Sequence, residues 1–146
     1  MSQKKIKHIL YADDDLDDVE LFTEAVCKIS DMCVLPKADG RQLILSLNEL
    51  PLPDVILLDL YMPYHDGRSC IKAIRNLERF DDVPIIVYST VLVEQMVTQC
   101  KMLGADYFIA KPTNFPEILR LVYEISGGRY SDTTYHYKSG LMYNCA

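Results

Sequence analysis

Three aspartates stand in a row at Asp13-Asp14-Asp15, directly after the apolar stretch Ile9-Leu10-Tyr11-Ala12. A single acid, Asp59, closes the run Val55-Ile56-Leu57-Leu58. Ser89-Thr90 ends the run Pro84-Ile85-Ile86-Val87-Tyr88, and Lys111-Pro112 follows Tyr107-Phe108-Ile109-Ala110. Carboxylates brought close together repel one another, so such a group needs a cation to stay ionised. An oxygen cage with room for waters and a phosphate oxygen suits Mg2+, which binds few carboxylates and keeps its octahedron. A carboxylate such as Asp59 can attack phosphorus and carry an acyl phosphate. That transfer depends mostly on positioning and on neutralising charge. In a site of this kind Mg2+ and Lys111 would neutralise the phosphoryl oxygens, and the Ser89 hydroxyl would donate to one of them.

The same apolar runs are the strands expected to carry these groups. Strands are predicted over Lys7–Ala12, Cys33–Lys37, Val55–Asp59, Pro84–Ser89 and Tyr107–Ala110. Four are continuous Ile, Leu and Val runs, as strands buried on both faces of a parallel sheet should be. Pro36 places the second at a sheet edge, where its missing N–H is not needed. Between them apolar residues recur at helical spacing. They are Val19, Phe22, Val26 and Ile29; Leu43, Ile44 and Leu47; Ile71, Ile74 and Leu77; Met96, Val97, Cys100 and Leu103; and Phe115, Ile118, Leu119 and Val122. Gly104 and Gly127-Gly128 follow the last two as stop signals. Strand and helix therefore alternate five times, which implies a doubly wound α/β fold with a five-stranded parallel sheet and helices on both faces. In such sheets ligands bind at the carboxyl ends of the strands, where Asp13, Asp59, Ser89 and Lys111 fall.

In this order and at these intervals the pieces are highly specific. Residues 6–126 resemble the receiver domain of two-component response regulators. The matching segments are Ile9–Asp15, Asp54–Pro63 with Asp66-Gly67, Pro84–Thr90 and Gly104–Pro112. The resemblance implies a flavodoxin-like (βα)5 fold with strand order 2-1-3-4-5. It implies a cytoplasmic phosphoprotein that accepts a phosphoryl group on Asp59 from a histidine kinase or histidine phosphotransfer protein. The changed surface would then bind a downstream effector protein, through the fourth helix, fifth strand and fifth helix, about residues 91–125. Asp14 would ligate Mg2+ directly, Asp13 mainly through a water, Asp59 as ligand and acceptor, and Tyr61 through its backbone carbonyl. Ser89 would move toward the phosphoryl group, and Phe108 would swing inward behind it. Such a protein catalyses its own phosphorylation and dephosphorylation but turns over no metabolite. Ser89 replaces the commoner Thr, Thr90 stands where many relatives have a smaller residue, and Tyr61 overhangs the acceptor. From Tyr61 we expect slow autodephosphorylation.

Competing readings are weaker. A Mg2+-dependent phosphatase using an aspartyl phosphate would want a second acid two residues past the nucleophile, where Tyr61 stands. A pure docking domain has no physical need for Asp13, Asp14, Asp59, Ser89 and Lys111 together. Asp15, Asp17 and Asp18 read simply as an acidic helix start, favoured by the helix dipole. His8, His65 and His136 show no metal-ligand spacing.

Composition narrows the rest. The chain has 146 residues, 49% hydrophobic and 25% charged, with a net charge of −6, which argues against direct nucleic-acid binding. No apolar run approaches the roughly 20 residues of a membrane span. Five cysteines without a CxxC pair read as reduced, mostly buried thiols. A receiver domain over 1–126 and a C-terminal extension over 127–146 are expected, without a separate output domain. The extension holds Tyr130, Tyr135, Tyr137 and Tyr143. A flexible terminus is its default. Thr133–Lys138 with a turn at Ser139-Gly140 would allow a hairpin, and a homodimer contact is a further option.

Overall fold

The computed structural model describes residues 5–49, 51–129, 135–138 and 141–144. Its main sheet contains β1 (His8–Ala12), β2 (Cys33–Lys37), β3 (Val55–Leu58), β4 (Ile85–Ser89) and β6 (Tyr107–Ala110), all parallel. Their order is β2-β1-β3-β4-β6. This is the expected 2-1-3-4-5 arrangement, with β6 as the fifth strand of the sheet because a two-residue strand, β5 (Leu92–Val93), precedes it in the chain. Val55 to Leu58 and Ile85 to Ser89 are buried throughout, as strands covered on both faces require. Pro36 does lie on the edge strand, paired in register with Tyr11.

The helices are α1 (Leu16–Ile29), α2 (Gly40–Ser46), α3 (Gly67–Arg75), α4 (Glu94–Leu103) and α5 (Phe115–Ser126). α1 packs on α5, while α3 packs on both α2 and α4, so both faces of the sheet are covered. Polar side chains set the helix starts. Asp15 accepts from the backbone of Asp17 and Asp18, Asp39 from Gln42, Asp66 from Ser69, and Asn114 from Glu117. Gly104 ends α4 with φ of 116°, a left-handed conformation that favours glycine. At Gly67 a Cβ would come within 2.7 Å of the Leu60 Cα, so α3 can begin this close to the end of β3 only without a side chain.

Two expectations are revised. Among the described cysteines Cys70 and Cys100 are buried but Cys27 and Cys33 are exposed; all four are free thiols, and Cys145 lies outside the described residues. The C-terminal segment is an antiparallel hairpin, β7 (Tyr135–Lys138) and β8 (Leu141–Asn144), rather than a free end. Leu92-Val93 gives it an edge to join: β8 pairs antiparallel with β5, with Leu92 opposite Met142. Tyr130 and the Ser139-Gly140 turn lie outside the described residues.

Candidate phosphoacceptor site

The sheet holds each site residue by one more hydrogen bond beyond the end of its strand. The backbone N–H of Asp13 donates to Lys37 O at 3.0 Å, that of Asp59 to Ala12 O at 3.0 Å, and that of Lys111 to Ser89 O at 2.9 Å. Asp13, Asp59, Ser89 and Lys111 therefore converge at the carboxyl edge of the sheet, where an open α/β fold binds its ligands.

The Asp59 carboxylate is held at both oxygens. Oδ1 of Asp59 accepts from the Ser89 hydroxyl at 3.3 Å and from the Tyr61 N–H at 3.2 Å. Oδ2 accepts from Lys111 Nζ at 3.1 Å. Asp13, fully buried, accepts from the Tyr11 hydroxyl at 2.7 Å and the Asp15 N–H at 3.0 Å, and its Oδ2 lies 2.7 Å from Lys111 Nζ. Asp13, Asp14 and Asp59 each offer an oxygen, all within 4.8 Å of one another. Three carboxylates at this spacing, one of them exposed, form the hard-oxygen donor set that a divalent cation with retained waters takes. The residues fit Mg2+.

Burial and charge set the protonation states. The Asp59 carboxyl is pushed up to about 6, chiefly by burial and by the neighbouring Asp13, against the pull of Lys111 and the Tyr61 N–H. Burial draws the Lys111 ammonium down, but its hydrogen bonds to Asp13 and Asp18 outweigh that and leave it raised. It stays charged. Tyr11 is pushed far above its ordinary value by burial and by Asp13, so its hydroxyl remains a donor to that carboxylate. Beneath these groups the rings of Tyr11, Phe22 and Tyr88 pack edge to face, with centroids 5.2 to 6.0 Å apart. Lys111 Nζ sits 5.9 Å from the centre of the Tyr88 ring.

Residues 9–123 match the family described as the response regulator receiver domain. The chain belongs to this family. Its fold superposes on the phosphorylated cyanobacterial phytochrome response regulator RcpA, which is 27% identical, with a TM-score of 0.75 over 82% of this chain and 91% of that one. It is similar also to the Mn2+-bound response regulator Rcp1, at 26% identity, TM-score 0.72, and 82% and 91% coverage. A third similar structure is the CheX–CheY complex with BeF3 and Mg2+ from Borrelia burgdorferi, at 28% identity, TM-score 0.66, and 82% and 88% coverage. This receiver is thus one of a class of two-component signalling switches whose acidic pocket fits phosphorylation and Mg2+.

The other predicted positions fall as follows. Tyr61 donates its N–H to Asp59 Oδ1 while its side chain is 53% exposed. Thr90 is exposed on the loop after β4. Phe108 is fully buried, with the Lys101 amine 5.7 Å from its ring centre. Sequence reasoning missed two members of the site. Tyr11 gives no polar signal within an apolar strand. Asp18 reads from the sequence as part of an acidic helix start, yet its Oδ2 lies 2.7 Å from Lys111 Nζ. Only Asp15 among these acids caps the helix. The signal for Asp18 was its spacing: it stands four and eight residues before Phe22 and Val26, on the buried stripe of α1.

Proposed function

We propose that this receiver accepts a phosphoryl group on Asp59 from a phosphohistidine donor, a histidine kinase or a phosphotransfer protein. It then signals through a phosphorylation-dependent protein-binding surface. One observation carries the reading: a buried acceptor carboxylate is bonded by an ammonium on one oxygen and by a hydroxyl and an N–H on the other. These groups stabilise charge where it develops in phosphoryl transfer, and they are in place beforehand.

In the proposed step a carboxylate oxygen of Asp59 forms a bond to phosphorus as the bond from phosphorus to the donor breaks. The product is an acyl phosphate, and water later returns the carboxylate. Lys111 exchanges its bond to Asp59 for one to a phosphoryl oxygen, and the Ser89 hydroxyl donates to another. Asp13, Asp14, Asp59 and the Tyr61 carbonyl would hold Mg2+, which when bound supplies positive charge to the phosphoryl oxygens. Ser89 and Phe108 form the switch: β4 and β6 are neighbours, with Val87 opposite Phe108 and Ser89 opposite Ala110. A shift at Ser89 is thereby passed to the surface of α4, β6 and α5, where an effector would dock. The exposed Tyr61 side chain shields the acceptor from water and lengthens the life of the acyl phosphate. A Tyr61→Asn variant that lost phosphate no faster than wild type would remove that role.

The domain occupies residues 1–126 in this reading, with 127–146 an extension that attaches to β5 at the start of α4. The exchange takes place in the cytoplasm, in keeping with four free thiols among the described residues. The acidic net charge of −6 favours a protein partner over nucleic acid. Among the described residues no helix is long and apolar enough to cross a membrane.

The test is incubation with Mg2+ and acetyl phosphate, read by intact mass, with Asp59→Asn alongside. A gain of one phosphoryl group by wild type alone is the expected result. Equal gain by the variant would move the acceptor elsewhere, and no gain by either would sink the reading.

A further inference from the structure

A lysine ammonium has three N–H donors. In this protein three carboxylate oxygens surround it: Asp13 Oδ2 at 2.7 Å, Asp18 Oδ2 at 2.7 Å and Asp59 Oδ2 at 3.1 Å from Lys111 Nζ. Two of these acids end strands of the sheet, and the third comes from the first turn of α1. The Lys111 side chain is only 8% exposed, so water is a poor substitute for a lost partner. The longest of the three contacts is the one to Asp59, and it is the one that a phosphoryl oxygen must replace.

We propose that Asp18 positions Lys111, holding one of its N–H groups so that the ammonium stays in place while its bond to Asp59 is exchanged for one to the phosphoryl group. The inference rests on the reading of Asp59 as acceptor. The helix dipole favours an acid in the first turn of α1, but among the described residues Asp18 does not cap that helix. The cap of α1 is the Asp15 side chain, which accepts from the backbone N–H of Asp18 and ignores its carboxyl. Asp18 also lines, with Tyr88, Lys111, Thr113 and Asn114, a small cleft between α1 and the loop after β6. An ammonium short of a partner has this cleft to turn into, away from the acceptor.

The experiment has two arms on the full chain. In the first, initial rates of phosphoryl gain from acetyl phosphate with saturating Mg2+ are compared for wild type, Asp18→Asn, Asp18→Ala, Lys111→Ala and the Asp18→Ala/Lys111→Ala double variant. Loss of one charge-assisted hydrogen bond predicts a rate roughly tenfold lower in Asp18→Ala and a smaller loss in Asp18→Asn, which keeps an acceptor oxygen. The double variant should be no slower than Lys111→Ala, because Asp18 acts through the lysine. A wild-type rate in Asp18→Ala, or an equal loss in the Lys111→Ala background, would overturn the assignment. In the second arm, labelling of Lys111 by an amine-reactive reagent is followed by peptide mass in wild type and Asp18→Ala, without phosphodonor. Severalfold faster labelling in the variant is expected, and equal labelling overturns the proposal even if wild type accepts no phosphoryl group. That last result in the first arm would count against the acceptor reading itself.

Discussion

Both ends of the central sheet carry carboxylates beside cations, and the two ends are built differently. At the amino end Arg75 donates to the carbonyls of Gly104, Phe80 and Val83 at 3.0, 2.6 and 3.0 Å, and to Asp106 Oδ2 at 2.8 Å. Asp106 accepts in addition from the Ile85 N–H, and Asp54 accepts from the N–H groups of Lys7 and His8. One guanidinium there ties the ends of α3, α4, β4 and β6, and its acceptors are mostly neutral carbonyls. At the carboxyl end one ammonium faces Asp13, Asp18 and Asp59, with Asp14 close by. Charge is matched to structure at the first end and left in excess at the second. Excess buried negative charge costs stability, and it is what a cation and a phosphoryl group can use.

The sharpest break of this contrast is a pair of variants. Asp59→Asn is expected to abolish phosphoryl gain entirely while its thermal midpoint matches or exceeds wild type, because a repelled carboxylate is removed. Arg75→Met is expected to lose roughly 2–4 kcal/mol of folding stability, since several acceptors lose their donor at once. It should still gain a phosphoryl group at low temperature. Denaturant titration and intact mass read both. If Asp59→Asn is the less stable of the two, the contrast is wrong.

Next in size is pH. The Asp59 carboxyl sits at about 6 in the fold, above its unfolded value, so the folded state binds the extra proton. Its favourable contribution is complete below the unfolded value and is lost as pH rises through about 6. In metal-free buffer this amounts to a decline on the order of 2–3 kcal/mol. Unfolding curves from pH 4 to 7.5 should show the decline in wild type and not in Asp59→Asn.

Added Mg2+ should return a similar amount. At a hundredfold excess over its dissociation constant a ligand stabilises by about 2.7 kcal/mol. The gain should appear in wild type, vanish in Asp13→Asn and persist in Arg75→Met. A thermal shift common to all three would mean that the cation binds elsewhere.

The smallest effect refines the boundary between the two regions. Asp66 caps α3; burial pushes its carboxyl up, but the Ser69 N–H and Arg68 outweigh that and hold it below its ordinary value. Its stabilisation is present above the unfolded value and lost as pH falls. Asp66→Ala should cost about 1 kcal/mol in denaturant titration with phosphoryl gain unaffected.

Much of this was legible in the sequence because the relevant signals are local. Asp59 is conspicuous after four apolar residues, and Ser89 and Lys111 likewise close apolar runs. The spacing of Phe22, Val26 and Ile29 placed α1, and Pro36 placed β2 at an edge. Two features were not legible, and both depend on distant partners. Asp18 shares the buried stripe of α1 with Phe22 and Val26, but its partner Lys111 is not apparent until α1 is laid beside the end of β6. The strand at Leu92-Val93 is too short to announce itself and exists only because β8 pairs with it.

Alternating apolar runs and amphipathic stripes were therefore enough, by themselves, to determine five parallel strands, five helices and the edge at which the polar groups gather. Side-chain periodicity is a property of neighbours along the chain, and a parallel sheet delivers every strand's end to one side. Which carboxylates share the one ammonium, which tyrosine stays protonated beneath them, and where the C-terminal hairpin attaches were decided only by the tertiary structure. Those outcomes depend on distances of about 3 Å between residues up to 93 positions apart, and burial sets their charge.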